Sequence, residues 1–135
     1  MCGSYAFNIL FSVIFMVVLF GCLCEVRQHI DVLIINGIGP NIQLGLHCKS
    51  KHKDLGLQSL APYKSWRFRE AMNFWKTTLF FCHFEWESES KWFDILLTKR
   101  NKNACKYYTC QWYITPDGPC RFTEHTECYP WNANI

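Results

Sequence analysis

The first 24 residues of the chain contain no charged side chain, because all 14 Lys and Arg and all 11 Asp and Glu residues come later. Residues 9–23 form an apolar run with a single serine, and small residues at Cys22 and Cys24 precede a polar segment that begins at Glu25. This order of features is typical of a secretory signal. Since no Lys or Arg precedes the apolar run, only the amino terminus supplies the positive charge expected there.

The alternative for this apolar run is a transmembrane anchor. A bilayer core about 30 Å thick requires roughly 20 apolar residues in a helix, and residues 9–23 are fewer than that. We therefore predict a cleaved signal at residues 1–24 and one exported domain at residues 25–135, with no membrane insertion after cleavage. Export brings the chain into an oxidising compartment, which changes how its cysteines are interpreted.

Six of the nine cysteines remain after that cleavage. An even number in a small exported domain favours disulfides over free thiols, although the count alone leaves the connectivity open. Cys48 and Cys82 each lie on the apolar face of an alternating segment, so we expect a buried bridge between them. In the chain-entropy model this bridge contributes about 3.5–4 kcal/mol. The other expected pairs, which together should clamp two facing layers, are Cys105 with Cys110 and Cys120 with Cys128.

No repeat, low-complexity tract or Pro/Gly-rich linker divides residues 25–135, and no segment has a sustained helical period. Short apolar segments separated by turn residues favour an all-β sandwich or barrel. We predict a small, disulfide-bonded antiparallel β-sandwich of about seven to eight strands. The segments that read as strands are residues 31–36, 42–49, 64–69, 77–86, 92–98, 107–115 and 120–124.

Motifs for catalysis and metal binding are also lacking. His47 and His83 each adjoin a cysteine, but successive strand residues point to opposite faces, which argues against a Cys–His nucleophile pair. Zinc requires four convergent ligands, which oxidised cysteines cannot supply. The Gly-x-Ser-x-Gly and His-Glu-x-x-His motifs and the His-Gly-Leu-Trp signature of T2-type ribonucleases do not occur. We therefore expect no enzyme activity, metal or cofactor.

Several short motifs remain, and they follow one another along residues 31–118. They are Leu46-His47-Cys48-Lys49-Ser50-Lys51 with Asp54-Leu55-Gly56, then Trp66-Arg67-Phe68, residues 78–86, Lys91-Trp92-Phe93-Asp94-Ile95, and finally Arg100, Cys105, Cys110, Trp112 and Asp117-Gly118. In this order and spacing they resemble the plant self-incompatibility protein S1 family, the S-protein homologues. The resemblance implies a secreted β-sandwich with disulfides. It also implies a kinship with stigma ligands that bind a pollen-surface membrane protein and trigger rejection of self pollen.

The sequence departs from the family pattern at three points. Asn101 stands where an acidic residue commonly follows the arginine, Cys120 and Cys128 exceed the usual four cysteines, and residues 25–135 contain no Asn-x-Ser/Thr sequon. The first departure affects the partner recognition that the resemblance implies. The other two leave the expected fold unchanged.

Several motif residues have a structural explanation. Asp54 is expected to bond backbone amides in a turn, and Gly56 to supply a positive φ there. Trp66, Trp86 and Trp112 lie on inward positions of their strands and are expected in the core, where an indole buries much apolar area.

Charged loops are the remaining candidates for a functional site. A net charge of +3 is too small to imply nucleic acid or an anionic membrane as a partner. The simple interpretation is that the loops keep a small domain soluble. The functional interpretation is recognition by loops on a rigid scaffold. Glu85, Glu87 and Glu89 share one parity in an acidic hairpin, while residues 49–53 and 99–106 form two basic loops, and patches of opposite charge give specificity. The candidate partner-binding residues are Glu87, Ser88, Glu89, Ser90, Lys99, Arg100, Asn101, Lys102 and Asn103.

We accordingly expect a secreted, extracellular and monomeric ligand for an unidentified cell-surface membrane protein in plant cell–cell signalling, with pollen rejection as one such role. The alternative is a secreted defence or cell-wall factor that binds a glycan or lipid. Exposed aromatics would support that alternative, and Trp75 and Trp131 are its candidates. A secreted ribonuclease is the third and least supported hypothesis.

Overall fold

The computed structural model describes residues 29–71, 79–97, 105, 109–122 and 125–133. The predicted signal at residues 1–24 lies outside this part of the chain. Within the described residues all regular structure is strand, and no helix there has the length and apolarity needed to cross a membrane. The strands are β1 His29–Asn36, β2 Leu44–Lys49, β3 Asp54–Leu60, β4 Ser65–Ala71, β5 Leu79–Trp86, β6 Glu89–Leu97, β7 Thr109–Thr115, β8 Gly118–Phe122 and β9 Thr126–Cys128.

The strands form two sheets, as the all-β prediction requires. One has the order β4-β1-β7-β8-β9 and the other the order β3-β2-β5-β6. Every neighbouring pair is antiparallel apart from β1 and β7, which are parallel. The antiparallel prediction is therefore wrong for this one pair. A parallel pair needs a long connection, and the whole four-stranded sheet lies between β1 and β7 in the sequence.

β3 and β9 are strands that the sequence prediction missed. β3 is an edge strand whose leucines do not alternate: Leu55 packs against the core, Leu57 is 76% exposed and Leu60 is buried. Gly56 between them has a φ of +81°, and the pairing of β2 with β3 shifts nearby. This irregularity is typical of a β-bulge, which disrupts the alternation on which a sequence prediction depends.

Two turns are shorter than predicted. The predicted strands 77–86 and 92–98 leave residues 87–91 between them, whereas the turn consists of Glu87 and Ser88 alone, since Glu89 and Ser90 belong to β6. Gly118 similarly begins β8 instead of lying in the preceding turn. Two-residue loops are common in β-hairpins, and pairing then continues to the end of both strands.

The core lies between the sheets and consists of the inward residues of each strand. Burial alternates along β1, β2 and β5. Trp112 and Trp86 are buried as predicted, at 0% and 6% exposure. Trp66 is only partly buried, because β4 is an edge strand of the five-stranded sheet.

The six cysteines pair as the sequence predicts, in the bridges Cys48–Cys82, Cys105–Cys110 and Cys120–Cys128. The expectation that they clamp two layers is wrong, however. The first bridge joins β2 to β5 within the four-stranded sheet, and the third joins β8 to β9 within the other. Both link residues directly opposite each other in neighbouring antiparallel strands. The bridges therefore reinforce individual sheets.

Packing and buried hydrogen bonds connect the two sheets. The indole Nε1 of Trp112 in β7 donates to the carbonyl of Ile95 in β6 at 2.9 Å. Asn36 at the end of β1 is fully buried, and its Nδ2 donates to the carbonyl oxygens of Ile42 at 2.8 Å and Leu60 at 3.0 Å. Buried polar groups require such partners. Trp112 and Asn36 thus fix the position of the four-stranded sheet relative to the five-stranded sheet. The outer face of the four-stranded sheet is held in place with it.

Candidate recognition surface

Four side chains from four strands form one row across the outer face of the four-stranded sheet. The strand register places Leu57 of β3 opposite His47 of β2, His47 opposite His83 of β5, and His83 opposite Trp92 of β6. Buried residues flank both histidines in their strands, and strand residues alternate between faces, so the row points outward. Leu57 is 76% and Trp92 39% exposed. We call these residues the histidine row.

His47 is fixed by a carboxylate. Its Nε2 lies 2.5 Å from Asp54 Oδ1, and because an ionised carboxylate only accepts hydrogen bonds, the imidazole donates. Asp54 Oδ1 also accepts the backbone N–H of Gly56 at 2.8 Å. The bond from His47, followed by that from Gly56, lowers the pKa of Asp54. The predicted bond from a backbone amide to Asp54 and the positive φ of Gly56 are confirmed, but both occur in the irregular start of β3 and not in a turn. The same carboxylate also orients His47.

His83 joins a cluster of aromatic and polar groups. Its Nε2 lies 2.5 Å from Ser90 Oγ, and its Nδ1 lies 3.5 Å from a carboxylate oxygen of Glu85. Its ring centroid is 4.5 Å from that of Trp92, with the planes tilted by 32°. The indole of Trp92 is also 5.9 Å from the ring of Phe81. The indole of Trp92 therefore contacts two rings of the neighbouring strand β5, those of His83 and Phe81.

The β5–β6 hairpin ends in a rigid acidic turn. Trp86, the last residue of β5, is buried and packs against Trp131 at a centroid distance of 5.7 Å. Glu87 and Ser88 make the exposed turn, in which Glu87 has a φ of +49°. Glu89 then pairs with Trp86, so the turn is held at its base by a buried indole.

The three glutamates of this hairpin do not share one face, contrary to the expectation from parity. The two-residue turn places Glu85 opposite Ser90 on the outer face and Glu89 opposite Trp86 on the inward-facing side. The Glu85 and Glu89 side chains are 63% and 51% exposed. Because the turn has two residues, odd-numbered residues beside it point outward in β5 but inward in β6. The three carboxylates therefore surround the hairpin end.

Comparison with known proteins supports the resemblance found in the sequence. A family model described as plant self-incompatibility protein S1 matches residues 31–132.

The chain belongs to the plant self-incompatibility protein S1 family.

Similar S1-family proteins occur in Arabidopsis thaliana. S-protein homolog 20 is 62% identical over 130 residues, which cover 96% of each chain. S-protein homolog 18 is 60% identical over 135 residues, the full length of both chains. A solved structure of self-incompatibility protein homologues has a TM-score of 0.56 at 15% identity and covers 82% of this chain and 100% of that one. It is described as representing a widespread family of small, highly stable, secreted plant proteins. At this identity the likeness shows the fold.

The structure describes four of the nine predicted partner-binding residues of this S1-family protein. The hairpin residues Glu87, Ser88, Glu89 and Ser90 are described, and Ser90 contributes to the outer face through His83. The other predicted residues, which are Lys99, Arg100, Asn101, Lys102 and Asn103, lie outside the described residues.

The two aromatics chosen from the sequence as candidates for sugar or lipid binding have different outcomes. Trp75 lies outside the described residues. Trp131 packs against Phe84, Trp86 and Phe93 of the core, at centroid distances of 5.4, 5.7 and 6.4 Å. Sequence reasoning missed Trp92, because the outward placement of His83 does not show which residues of β6 point outward until the two-residue turn and the strand register are known.

A buried cation was also missed. Arg121 is 4% exposed, and its Nη2 donates to Glu127 Oε2 at 2.7 Å and to the Tyr129 hydroxyl. Its guanidinium carbon lies 5.3 Å from the Trp112 ring and 5.1 Å from the Tyr129 ring. Arginine is rarely buried without such partners. These contacts close the core beneath β8 and β9, which is a structural role.

A metal centre finds no support in the described part of this S1-family chain. Across residues 29–71, 79–97, 105, 109–122 and 125–133, no group of three or more His, Cys, Asp and Glu side chains is arranged to hold a metal ion. The imidazoles of His47 and His83 contact Asp54, Ser90 and Glu85 instead.

Proposed function

We propose that this protein is a secreted, monomeric ligand that engages a cell-surface membrane protein in plant cell–cell signalling, with rejection of self pollen as one such role. The observation that carries the proposal is the acidic hairpin end formed by Glu85, Glu87 and Glu89. Exposed carboxylates surround a turn whose base is fixed in the core by Trp86.

The rigidity of the hairpin favours recognition. Cys82 in β5 is covalently joined to Cys48 in β2, and Trp86 is buried against Trp131. A surface held in one conformation loses little entropy when a partner binds. Charge at such a surface contributes mainly to the association rate and to the choice of partner. We therefore expect a partner whose docking surface is basic.

Export is part of the proposal. Two observations support it: the three disulfides, since such bridges persist in oxidising compartments, and the description of a structural relative as a secreted plant protein. A ligand of this kind requires no catalytic step. We accordingly propose that the protein turns over no substrate, and incubation with RNA followed by gel analysis should show no cleavage.

Binding of the secreted protein to plasma-membrane vesicles tests the proposal. Plant cells would express the full chain, and the protein would be purified from the medium. We expect saturable binding that weakens as salt is raised, because exposed charges are screened. Glu87→Lys should weaken binding about tenfold or more, since it places a cation in an acidic docking surface.

Asp117→Lys is the matched control. Asp117 is exposed in the turn between β7 and β8, so its reversal makes the same charge change in another hairpin turn. Equal binding by the Glu87→Lys and Asp117→Lys variants would contradict the proposed surface, as would retention of the protein inside the cell. Reversal of Lys99 and Arg100 in a separate variant tests the basic loop.

A further inference from the structure

The outer face of the four-stranded sheet contains an aromatic platform that neither the core nor the hairpin turn uses. Trp92 is 39% exposed, while His83 and Phe81 support its ring at centroid distances of 4.5 and 5.9 Å. These contacts hold the indole across the surface of the sheet. An aromatic face carries partial negative charge, which attracts weakly positive C–H groups stacked upon it.

Polar groups in fixed positions surround this platform. Ser90 Oγ lies 2.5 Å from His83 Nε2, and a carboxylate oxygen of Glu85 lies 3.5 Å from His83 Nδ1. Farther along the row, Asp54 holds His47 at 2.5 Å. Hydroxyl, carboxylate and imidazole groups next to an aromatic ring can donate and accept the hydrogen bonds of a ligand rich in hydroxyls.

The charge of the face disfavours anionic ligands. The Glu85 and Asp54 side chains are 63% and 59% exposed. Lys49 brings an ammonium group to 5.8 Å from the Phe81 ring, and its charge helps to lower the pKa of Asp54. A phosphate, uronate or anionic lipid headgroup would meet two carboxylates on this surface. A neutral ligand would not be repelled.

The arrangement of the row also disfavours an acyl chain. Leu57 and Trp92 are the apolar ends of the row, and His47 and His83 separate them. Neighbouring strands lie roughly 4.8 Å apart, so the ends are separated by roughly 14 Å. Polar groups therefore separate the two apolar ends of the row. The row has the length of a short oligosaccharide, in which apolar C–H faces and hydroxyl groups also alternate.

We propose that the histidine row is a binding site for a neutral oligosaccharide, which stacks one sugar ring on Trp92 and extends across His83 and His47 towards Leu57. Glu85 and Ser90 bond its hydroxyls beside Trp92. The site lies on the sheet face and shares Glu85 and Ser90 with the hairpin, but it does not include Glu87 of the turn, so a Glu87 variant separates it from the site for the proposed protein partner.

Titration with neutral oligosaccharides tests this site. The probes are cellohexaose, xylohexaose and mannohexaose, added to the secreted protein produced from the full chain. We expect at least one to shift the indole N–H resonance of Trp92, which is assigned by its loss in Trp92→Phe. Trp92→Ala should weaken binding of that sugar about tenfold or more, the scale of a lost stacking contact. Trp92→Phe should retain most of the affinity.

The control for Trp92→Ala is Tyr63→Ala, which removes an aromatic side chain that is 55% exposed and lies away from the row. Thermal unfolding of both variants checks that each is folded. The Glu87→Lys variant should bind the sugar as the unchanged protein does, so a failure of the hairpin proposal is distinguishable from a failure of this one.

Three results would overturn the proposal. The first is that none of the three hexaoses binds at millimolar concentration. The second is that Trp92→Ala binds as well as Tyr63→Ala does. The third is tighter binding of an anionic probe, either an oligogalacturonate or a vesicle of phosphatidylcholine and phosphatidylserine, than of any neutral sugar.

Discussion

Cys48 and Cys82 lie directly opposite each other in β2 and β5, and each is followed or preceded by a histidine of the outer row. The bridge between them therefore fixes His47 opposite His83. Since a slip of one residue in a strand would exchange its inward and outward faces, this covalent link also determines which side chains the sheet presents to solvent.

Removal of this bridge should destabilise the protein more than removal of a shorter-range one. Cys48–Cys82 spans 34 residues and Cys120–Cys128 spans 8. The chain-entropy model gives losses of about 4 and about 2.5 kcal/mol for the paired Cys→Ala variants. Urea unfolding of the two double variants measures both. Equal losses would show that loop length does not determine the contribution of these bridges.

Asn36 should be sensitive to truncation. Asn36→Ala leaves the carbonyl oxygens of Ile42 and Leu60 and the N–H of Ile38 without their buried side-chain partner. We expect a loss of about 2–4 kcal/mol in the free energy of unfolding. Gln43→Ala, which removes an exposed amide bonded only to Ser59 Oγ among the described residues, should cost less than about 0.5 kcal/mol. Similar losses in the two variants would contradict this role.

Replacement of Gly56 and of Gly45 by alanine should have different effects on the free energy of unfolding. Gly56 has a φ of +81°, so Gly56→Ala should cost about 1 kcal/mol, although no atom lies within 4 Å of the added methyl group. Gly45 lies within β2, where an added Cβ makes an ordinary contact of 3.7 Å with the carbonyl of Glu85. Gly45→Ala should therefore be neutral or stabilise by about 0.5 kcal/mol. Thermal unfolding of both variants tests the prediction, and a tolerated Gly56→Ala would refute it.

Acid should lower the free energy of unfolding, because it protonates two carboxylates that are paired in the folded state. Arg69 donates to Asp31 across β1 and β4 and lowers its pKa, and His47, followed by Gly56, does the same for Asp54. Both pKa values are lower in the folded state than the ordinary 3.8, so the unfolded state binds more protons near that pH. The stabilisation is complete above pH 3.8 and is lost as the pH falls through the folded-state values.

Thermal unfolding between pH 2 and 6 measures this effect. Asp31→Asn should lower the melting temperature at pH 6 and flatten its decrease towards pH 2. Asp117→Asn, which changes an exposed carboxylate in a turn, should leave the profile as it was. If Asp31→Asn gave the same profile as the unchanged protein, the pair with Arg69 would contribute nothing to acid stability.

Much of the fold follows from local sequence patterns. The alternation around Cys48 and Cys82 predicts both their burial and their pairing, and the outward placement of His47 and His83 follows from the same rule. Gly56 shows where this reasoning fails, because the backbone irregularity near it shifts the register and hides β3. The sheet face on which each hairpin glutamate lies depends on the length of the turn. The polar residues of the turn alone did not define that length.

The candidate sites were less predictable, because they depend on strand order. Trp92 and His47 are 45 positions apart in the sequence, and only the arrangement β3-β2-β5-β6 brings them into one row with Leu57. Burial of Arg121 likewise requires Trp112 of β7 to meet Tyr129, which follows β9. No local pattern encodes such contacts between distant segments.

The parallel pairing of β1 with β7 has a consequence for the order of folding. β1 lies between β4 and β7 in its sheet, and the second of these neighbours is made only when Thr109–Thr115 has been synthesised. Contacts of such large sequence separation form late. A nascent chain should therefore lack a finished five-stranded sheet until β7 has left the ribosome, and in the export proposed above this sheet would be completed only after translocation.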